Sequence, residues 1–170
     1  MILGMSLSAF TDLHVVLSLA GIVSGFVVLV HMLGSKLQRG WTALFLSSTV
    51  LTSATGFLFP FERVLPSHIV GVVSLVVLAL ATAALYGYHL AQSWRWIYVA
   101  TAMMALYLNV FVLVAQAFLK VSFLHTLAPT GSEPAFIVAQ LVVLVAFVVL
   151  GFVAVKAFHP AADSARLRVA

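Results

Sequence analysis

The chain has no cysteine and very little charge. Only 7% of its 170 residues are charged, whereas 64% are hydrophobic. Without cysteine the chain has no disulfides, no thiolate metal sites, no thiol nucleophile and no iron–sulfur cluster. A soluble domain usually carries about 25% charged residues, and the mean hydropathy here is +1.23. We therefore expect lipid, rather than water, to cover most of the protein surface.

Basic residues are few and scattered. The formal net charge is +4, but no stripe of Lys and Arg with interleaved aromatic residues is present, so nucleic acid is not an expected partner. The N-terminal stretch MILGMSLSAFTD contains neither Lys nor Arg and so lacks the basic region of a cleaved signal peptide. The sequence also contains no G-x-S-x-G, P-loop, G-x-G-x-x-G or H-E-x-x-H motif.

Five long apolar segments fill most of the chain, at about 12–33, 41–60, 66–90, 94–119 and 134–157. Crossing a hydrocarbon core of about 30 Å takes roughly 20 helical residues, and backbone groups in lipid must be paired internally. The sequence thus predicts an all-α polytopic integral membrane protein, a bundle of five transmembrane helices. We expect a single transmembrane domain over 1–158 and a flexible cytoplasmic tail over 159–170. In the loop before the last helix we expect a short interfacial helix, and Ser132 as the cap.

The charges predict the orientation of the bundle. We call side A the side of the N-terminus and of FPFERVLPSH at 59–68, and side B the opposite side. Six of the eight basic residues fall on side B: Lys36, Arg39, Arg95, Lys156, Arg166 and Arg168. Cytoplasmic loops collect Lys and Arg, so we expect the N-terminus out and the C-terminus in. We expect the protein in the inner (cytoplasmic) membrane of a bacterium, with side A facing the periplasm.

Polar residues converge on side A and predict a pocket between the helices. On the fourth helix, Asn109, Gln116 and Lys120 lie within roughly 40° of one another around the axis. Small and hydroxyl-bearing residues form a face on the second helix, at Ser48, Thr52, Thr55 and Gly56. The other predicted pocket residues are Tyr107, Glu133, Gln140, Glu62 and Arg63.

Two histidines at matched depth suggest a cofactor in this pocket. His14 and His68 each lie near the side A start of a helix, and a b-type haem takes one imidazole on each face of its iron. A transition-metal ion is the alternative, with His125 as a third ligand. Gly21 and Gly25 share a helix face with His14, which leaves room for a flat cofactor or, equally, for ordinary helix packing. Gln116 and Lys120 would then orient an imidazole or receive an anionic group.

Three functions follow, and the sequence leaves all three open. The first is a haem- or metal-dependent redox protein for electron transfer, an oxidoreductase in the broad sense. The second is a transporter or channel for a small solute or coupled to protons, since intramembrane polar groups mark such paths. The third is a non-catalytic subunit of a larger membrane complex, or a homo-oligomer, assembled through the small-residue helix faces. The lipid bilayer is the expected surrounding in each case.

Overall fold

The computed structural model describes residue 2, residues 4–60 and residues 66–160, with the backbone alone for 66 and 67. Within these ranges the chain is helical: α1 Leu7–Leu33, α2 Arg39–Gly56, α3 Pro66–Thr82, α4 Trp94–Lys120, α5 Ser122–Leu127 and α6 Pro134–Ala157. The π-helical turn Ala83–Gly87 continues α3. The predicted residues Glu62 and Arg63, and residues 161–170 of the predicted tail, lie outside the described residues.

Four helical segments of the described chain are long and apolar enough to cross a membrane: Leu7–Leu33, His68–Gly87, Trp94–Lys120 and Pro134–Ala157. Four of the five predicted spans are therefore supported on length and composition. The remaining helix, α2, has 18 residues and carries seven Ser and Thr residues, with Arg39 in its first turn. The same hydroxyl groups that predicted a polar face make this helix the least apolar of the five.

The first four long helices form a square bundle, in which each packs against the next and α4 packs back against α1. As a result, α1 and α3 face each other across one diagonal, and α2 and α4 across the other. The last helix, α6, packs on the outside against α4 and α1. The buried core includes Phe45 of α2, Leu78 of α3, and Tyr98 and Leu106 of α4.

Side-chain contacts fix the relative directions of the helices. The start of α1 meets the end of α2, because His14 bonds to Thr55. The end of α2 also meets the start of α3, because the rings of Phe57 and His68 lie 5.8 Å apart. It follows that α1 and α3 run parallel to each other and that α2 runs antiparallel to both.

Local capping shifts several helix ends from the predicted positions. The first helix begins at Leu7 rather than near residue 12, because the Ser6 hydroxyl accepts a hydrogen bond from the backbone N–H of Ala9 at 3.2 Å. The predicted interfacial helix is present as α5. The predicted cap Ser132 is wrong: the residue at the N-cap of α6 is Glu133, and its carboxylate accepts hydrogen bonds from the backbone N–H groups of Thr130 and Ser132, each at 3.0 Å.

The third helix ends before residue 90, where the sequence placed its end. Beyond the π-helical turn, His89, Leu90 and Gln92 adopt positive φ angles of 49°, 59° and 48°. Such angles are uncommon for residues other than glycine and interrupt a right-handed helix. The loop is closed by the stacked rings of Tyr88 and Trp94, whose centroids are 3.7 Å apart. This loop turns the chain from α3 into α4 at side B.

Arg95 anchors the side B end of α6. Its guanidinium donates hydrogen bonds to the carbonyl oxygens of Val155, at 3.2 Å, and of Phe158. The last carbonyls of a helix have no partner within the helix, so this side chain satisfies two groups that would otherwise be unpaired. The backbone N–H of His159 in turn donates to the Ser35 hydroxyl at 2.9 Å. The half-buried charge of Arg95 thus has a structural role at the end of α6.

Candidate functional site

His14 is held at the side A end of the bundle by a defined hydrogen bond. Its Nδ1 lies 2.8 Å from the Thr55 hydroxyl oxygen. That hydroxyl already directs its single hydrogen to the backbone oxygens of Leu51, at 2.7 Å, and Thr52, at 3.1 Å. With the hydroxyl hydrogen in that direction, the Thr55 oxygen accepts from His14, and we expect the proton of the neutral imidazole on Nδ1. The lone pair on Nε2 is left as an acceptor or a metal ligand.

Aromatic rings surround this imidazole. The Phe59 ring meets it edge to face, with centroids 5.2 Å apart and an interplanar angle of 89°. Phe59 is backed by Phe10, at a centroid distance of 5.0 Å. The Gly56 Cα lies beside the ring, and a methyl group placed there would sit 3.8 Å from the Cε1 of His14. Both Thr55 and Phe59 come from the end of α2, so this helix end determines the orientation of His14.

His68 lies at the same end of the bundle, but against a different phenylalanine. Its ring faces Phe57 at 5.8 Å, and Phe57 also covers Gly71, where a methyl group would come within 2.9 Å of the Phe57 ring. The two histidines therefore lie across the α1–α3 diagonal, each next to an aromatic ring from the end of α2. That His14 and His68 bind one shared ligand stays a prediction.

A second group of polar side chains lies deeper, where α1, α2 and α4 meet. The Asn109 Nδ2 donates a hydrogen bond to the Thr49 hydroxyl at 3.2 Å. Both side chains, together with Ser48, lie against Gly21: a methyl group there would be 3.0 to 3.3 Å from their polar atoms. The glycine thus lets α1 approach polar groups of two other helices, in agreement with the predicted inward orientation of Asn109.

Thr52 lies between these two groups on α2, and its buried hydroxyl oxygen has no partner among the described residues. With it, polar side chains recur at helical spacing along α2, from side A toward the middle of the bundle. We call this line the polar seam and define it as His14, Thr55, Thr52, Thr49, Ser48 and Asn109. Sequence reasoning identified all of these except Thr49, whose signal was its place in the run SST at 47–49 on the hydroxyl-rich helix.

Five other predicted residues that the structure describes lie away from the seam. Gln116, Lys120 and His125 are exposed. Gln140 is buried on α6 and donates through Nε2 to the Phe111 backbone oxygen at 3.1 Å, while its Oε1 has no partner in the described part of the chain. Tyr107 packs beside Phe147 of α6, with centroids 5.8 Å apart. The structure therefore brings His14, Asn109 and the predicted hydroxyl face of α2 into one seam. It leaves Gln116, Lys120, His125, Gln140 and Tyr107 outside that seam.

Apolar side chains close the seam toward side B. One helical turn beyond Gly21, Gly25 faces Leu106 and Phe45 instead of polar groups. Beyond these side chains, the Thr42 hydroxyl faces that of Tyr98, yet neither makes a well-oriented hydrogen bond with a described residue. Sequence reasoning missed Phe45, Leu106, Thr42 and Tyr98, because their types are ordinary for a helix core.

The residues also permit a test of the predicted metal centre. No group of three His, Asp or Glu side chains among the described residues is placed to hold a metal ion. A shallow apolar hollow of about 600 Å³, lined by Val50, Leu78, Thr82, Tyr86 and neighbours, lies between α2 and α3 and contains none of the predicted ligands. His14 meets one requirement of an iron ligand, since Thr55 fixes its ring and leaves Nε2 available.

The fold defines the class of protein. Four helices able to span a membrane make the chain a multi-pass helical membrane protein, here with a histidine and a line of hydroxyl and amide groups inside its bundle. Comparison with protein-family models, with curated proteins and with solved structures finds no match to the chain.

Proposed function

We propose that this chain forms a path through the membrane for protons or small uncharged polar solutes, along the polar seam between α1, α2 and α4. The observation that carries the proposal is the series of polar side chains along the seam. Polar groups from three helices lie inside the bundle, and they extend from the side A end to the level of Asn109. Intramembrane polar groups that face a bundle interior mark ion and solute paths.

Unused hydrogen-bonding capacity in the seam supports this function. An asparagine side chain forms up to four hydrogen bonds, and Asn109 forms one with the described residues. The Thr52 hydroxyl oxygen is buried without a partner among them. An unpaired buried polar group costs roughly 1–3 kcal/mol, and lipid chains offer no partners. Water or a polar solute in the seam would satisfy these groups.

The lining also limits what the path carries. None of the six seam residues is Asp, Glu, Lys or Arg, so no fixed charge offsets the desolvation of an ion. His14, at the side A mouth, is the one seam residue whose side chain is an acid or base that can pass on a proton. Protons and small uncharged solutes are therefore the cargo that this lining favours.

A five-span topology is part of the proposal. The helices α1 and α3 run parallel, and α2 runs back between them. If α1 and α3 both cross the membrane in the same direction, α2 must cross it in the opposite direction. Its 18 residues give a length of about 27 Å, close to the thickness of a thin hydrocarbon core. With the basic residues on side B, this topology puts the N-terminus in the periplasm, and His14 at the periplasmic face of a bacterial inner membrane.

Flux measurements in proteoliposomes test the proposed path. Vesicles with the purified protein should dissipate a pH gradient, or swell in urea or glycerol, faster than protein-free vesicles. Asn109→Leu should lower that flux by about tenfold, the effect of raising a barrier by about 1.4 kcal/mol. The matched control is Gln116→Leu, an exposed position of the same helix, which should keep the flux. Wild-type flux equal to that of empty vesicles, for both protons and solutes, would refute the proposal.

A second candidate, a b-type haem or transition-metal protein for electron transfer, is favoured by one observation. Thr55 holds His14 in the tautomer that a metal ligand through Nε2 requires, and His68 lies at the same end of the bundle. In this candidate the two imidazoles bind the metal centre, which supplies the electron transfer. The visible spectrum and metal content of the purified protein test it: His14→Ala and His68→Ala should each remove the chromophore or metal. A colourless, metal-free, folded protein would eliminate it.

A further inference from the structure

Two glycines of α1, one turn apart, face opposite kinds of surroundings. Gly21 faces polar atoms of Thr49, Ser48 and Asn109. Four residues further, a methyl group on Gly25 would lie 2.5 Å from the Leu106 Cδ1 and 3.0 Å from the Phe45 ring. The interface between the helices therefore changes from polar to apolar within about 6 Å of rise.

The apolar contact leaves no room for water at its level. Phe45 and Leu106 are each 1% exposed, and Gly25 is also buried. The distances from Gly25 to both side chains are too short for even one added carbon atom. A constriction of this kind keeps water out because its walls offer no hydrogen bonds.

Two polar side chains, Thr42 and Tyr98, lie next to this apolar contact in the direction of side B. Thr42 precedes Phe45 by one turn of α2, and Tyr98 precedes Leu106 by two turns of α4. The exposed fractions of Thr42 and Tyr98 are 1% and 0%. Their hydroxyl groups face each other without a well-oriented hydrogen bond to any described residue, whereas buried hydroxyl groups in a protein core are usually hydrogen-bonded. Their position continues the line of the polar seam toward side B.

We propose that Phe45 and Leu106, seated against Gly25, are a closed gate between the polar seam and the Thr42–Tyr98 pair. This inference rests on the proposed path and identifies the element that regulates it. In the closed state the side chains exclude water, and the seam communicates with side A alone. Displacement of either side chain joins the seam to Thr42 and Tyr98, and so completes a polar route of about 20 Å from Thr55 to Thr42.

Because the chain contains no cysteine, single cysteines test the gate without a background. Thr52→Cys lies on the side A side of the gate. A membrane-impermeant maleimide should reach it only from side A, in a comparison of right-side-out and inverted membrane vesicles. Val50→Cys, on the exposed face of the same helix, is the control and should stay unlabelled from both sides.

A variant with an open gate should allow the maleimide to label Thr52→Cys from both sides of the membrane. Adding Leu106→Ala to Thr52→Cys should allow labelling from side B, and Leu106→Ala alone should raise the flux by about tenfold. Leu113→Ala, an exposed leucine of the same helix, should change neither result. Leu106→Val, which removes less volume, should give a smaller change if the alanine variant folds poorly.

The outcomes separate the gate from the path. Labelling of Thr52→Cys from both sides in the otherwise wild-type chain, or unchanged sidedness and flux in folded Leu106→Ala, would overturn the gate while leaving the path intact. Absence of labelling at Thr52→Cys from either side, together with absence of flux, would overturn the hydrated path and the gate with it.

Discussion

Asn109 of α4 donates a hydrogen bond to the hydroxyl of Thr49 on α2, over 3.2 Å. The two helices occupy opposite corners of the bundle, so this bond connects them across its centre. It also fixes their relative height, with residue 109 beside residue 49. Since α2 and α4 run in the same direction, every other pair of levels on these helices follows from this one contact.

Replacing Asn109 with leucine should destabilise the protein by roughly 0.6 to 2 kcal/mol, the range for hydrogen bonds between membrane helices. The leucine leaves the Thr49 hydroxyl without its donor and places an apolar side chain against Ser48 and Gly21. Unfolding in mixed detergent, followed by circular dichroism, measures the free energy. Gln116→Leu is the control, since Gln116 is exposed, and it should stay within about 0.5 kcal/mol of wild type. Equal losses in both variants would contradict the inward orientation of Asn109.

The relative height of α2 and α4, with residue 109 beside residue 49, explains why the sequence located only part of the pocket. Asn109, Gln116 and Lys120 do lie on one face of α4, as their spacing predicts. With residue 109 beside residue 49, however, Gln116 lies level with Gly56, the last residue of α2. Beyond this point α2 offers nothing to cover α4, so Gln116 and Lys120 are exposed. Spacing defines a face of a helix, but the length of the neighbouring helix decides how much of that face is buried.

Helix existence was predictable for a different reason. Long apolar runs leave the backbone in lipid no alternative to a helix, and the predicted bounds of the last helix, 134–157, agree with α6. The helical run of α3 and its π-helical turn ends at Gly87, a residue type that is common at helix ends, whereas the left-handed residues that follow have ordinary types and carry no signal. Contacts across the bundle, such as that of His14 with Thr55, depend on helix rotation, which a single sequence does not specify.

Adding a methyl group to Gly25 should destabilise the bundle by about 1–3 kcal/mol, the usual cost of overfilling a packed core. The methyl would lie 2.5 Å from the Leu106 Cδ1, so α1 or the leucine must move. Gly40→Ala is the matched control, because no atom lies within 4 Å of a methyl at Gly40. Thermal unfolding of the two variants in one detergent compares them. A Gly25→Ala protein as stable as Gly40→Ala would show that the contact is loose.

The hydrogen bond between His14 and Thr55 should be visible in the tautomer of His14. Since the Thr55 hydroxyl donates to its own helix, we expect the proton of the neutral imidazole on Nδ1. Nitrogen-15 NMR of histidine-labelled protein distinguishes a protonated from an unprotonated ring nitrogen. Thr55→Val removes the acceptor and should shift the tautomer population, whereas Thr55→Ser should preserve it. A neutral His14 with its proton on Nε2 in the wild-type protein would refute the assigned hydrogen-bond direction.

Glu133 should make the start of α6 sensitive to acid. Hydrogen bonds from Thr130, first of all from its backbone N–H, lower the pKa of this carboxyl below its ordinary value of 4.5. Because the folded pKa is depressed, the stabilisation is present above the unfolded pKa and is lost as pH falls through the folded pKa. The protection factors of the amides at the start of α6 should therefore fall in that acidic range. Glu133→Gln should remove this dependence; an unchanged profile in the variant would assign it to another group.

The path of α2 through the membrane decides the topology. Reporter fusions at Ser35, Arg63, Ser93, Thr130 and Ala170 should alternate between cytoplasm and periplasm, starting with the cytoplasm at Ser35. Alkaline phosphatase is active in the periplasm and green fluorescent protein in the cytoplasm, so each site receives both reporters. Because α1 and α3 are parallel, α2 must return the chain to side A, and Arg63 should report from the periplasm. If Ser35 and Arg63 instead report from the same compartment, α2 does not cross, and the polar seam does not lie in a transmembrane bundle.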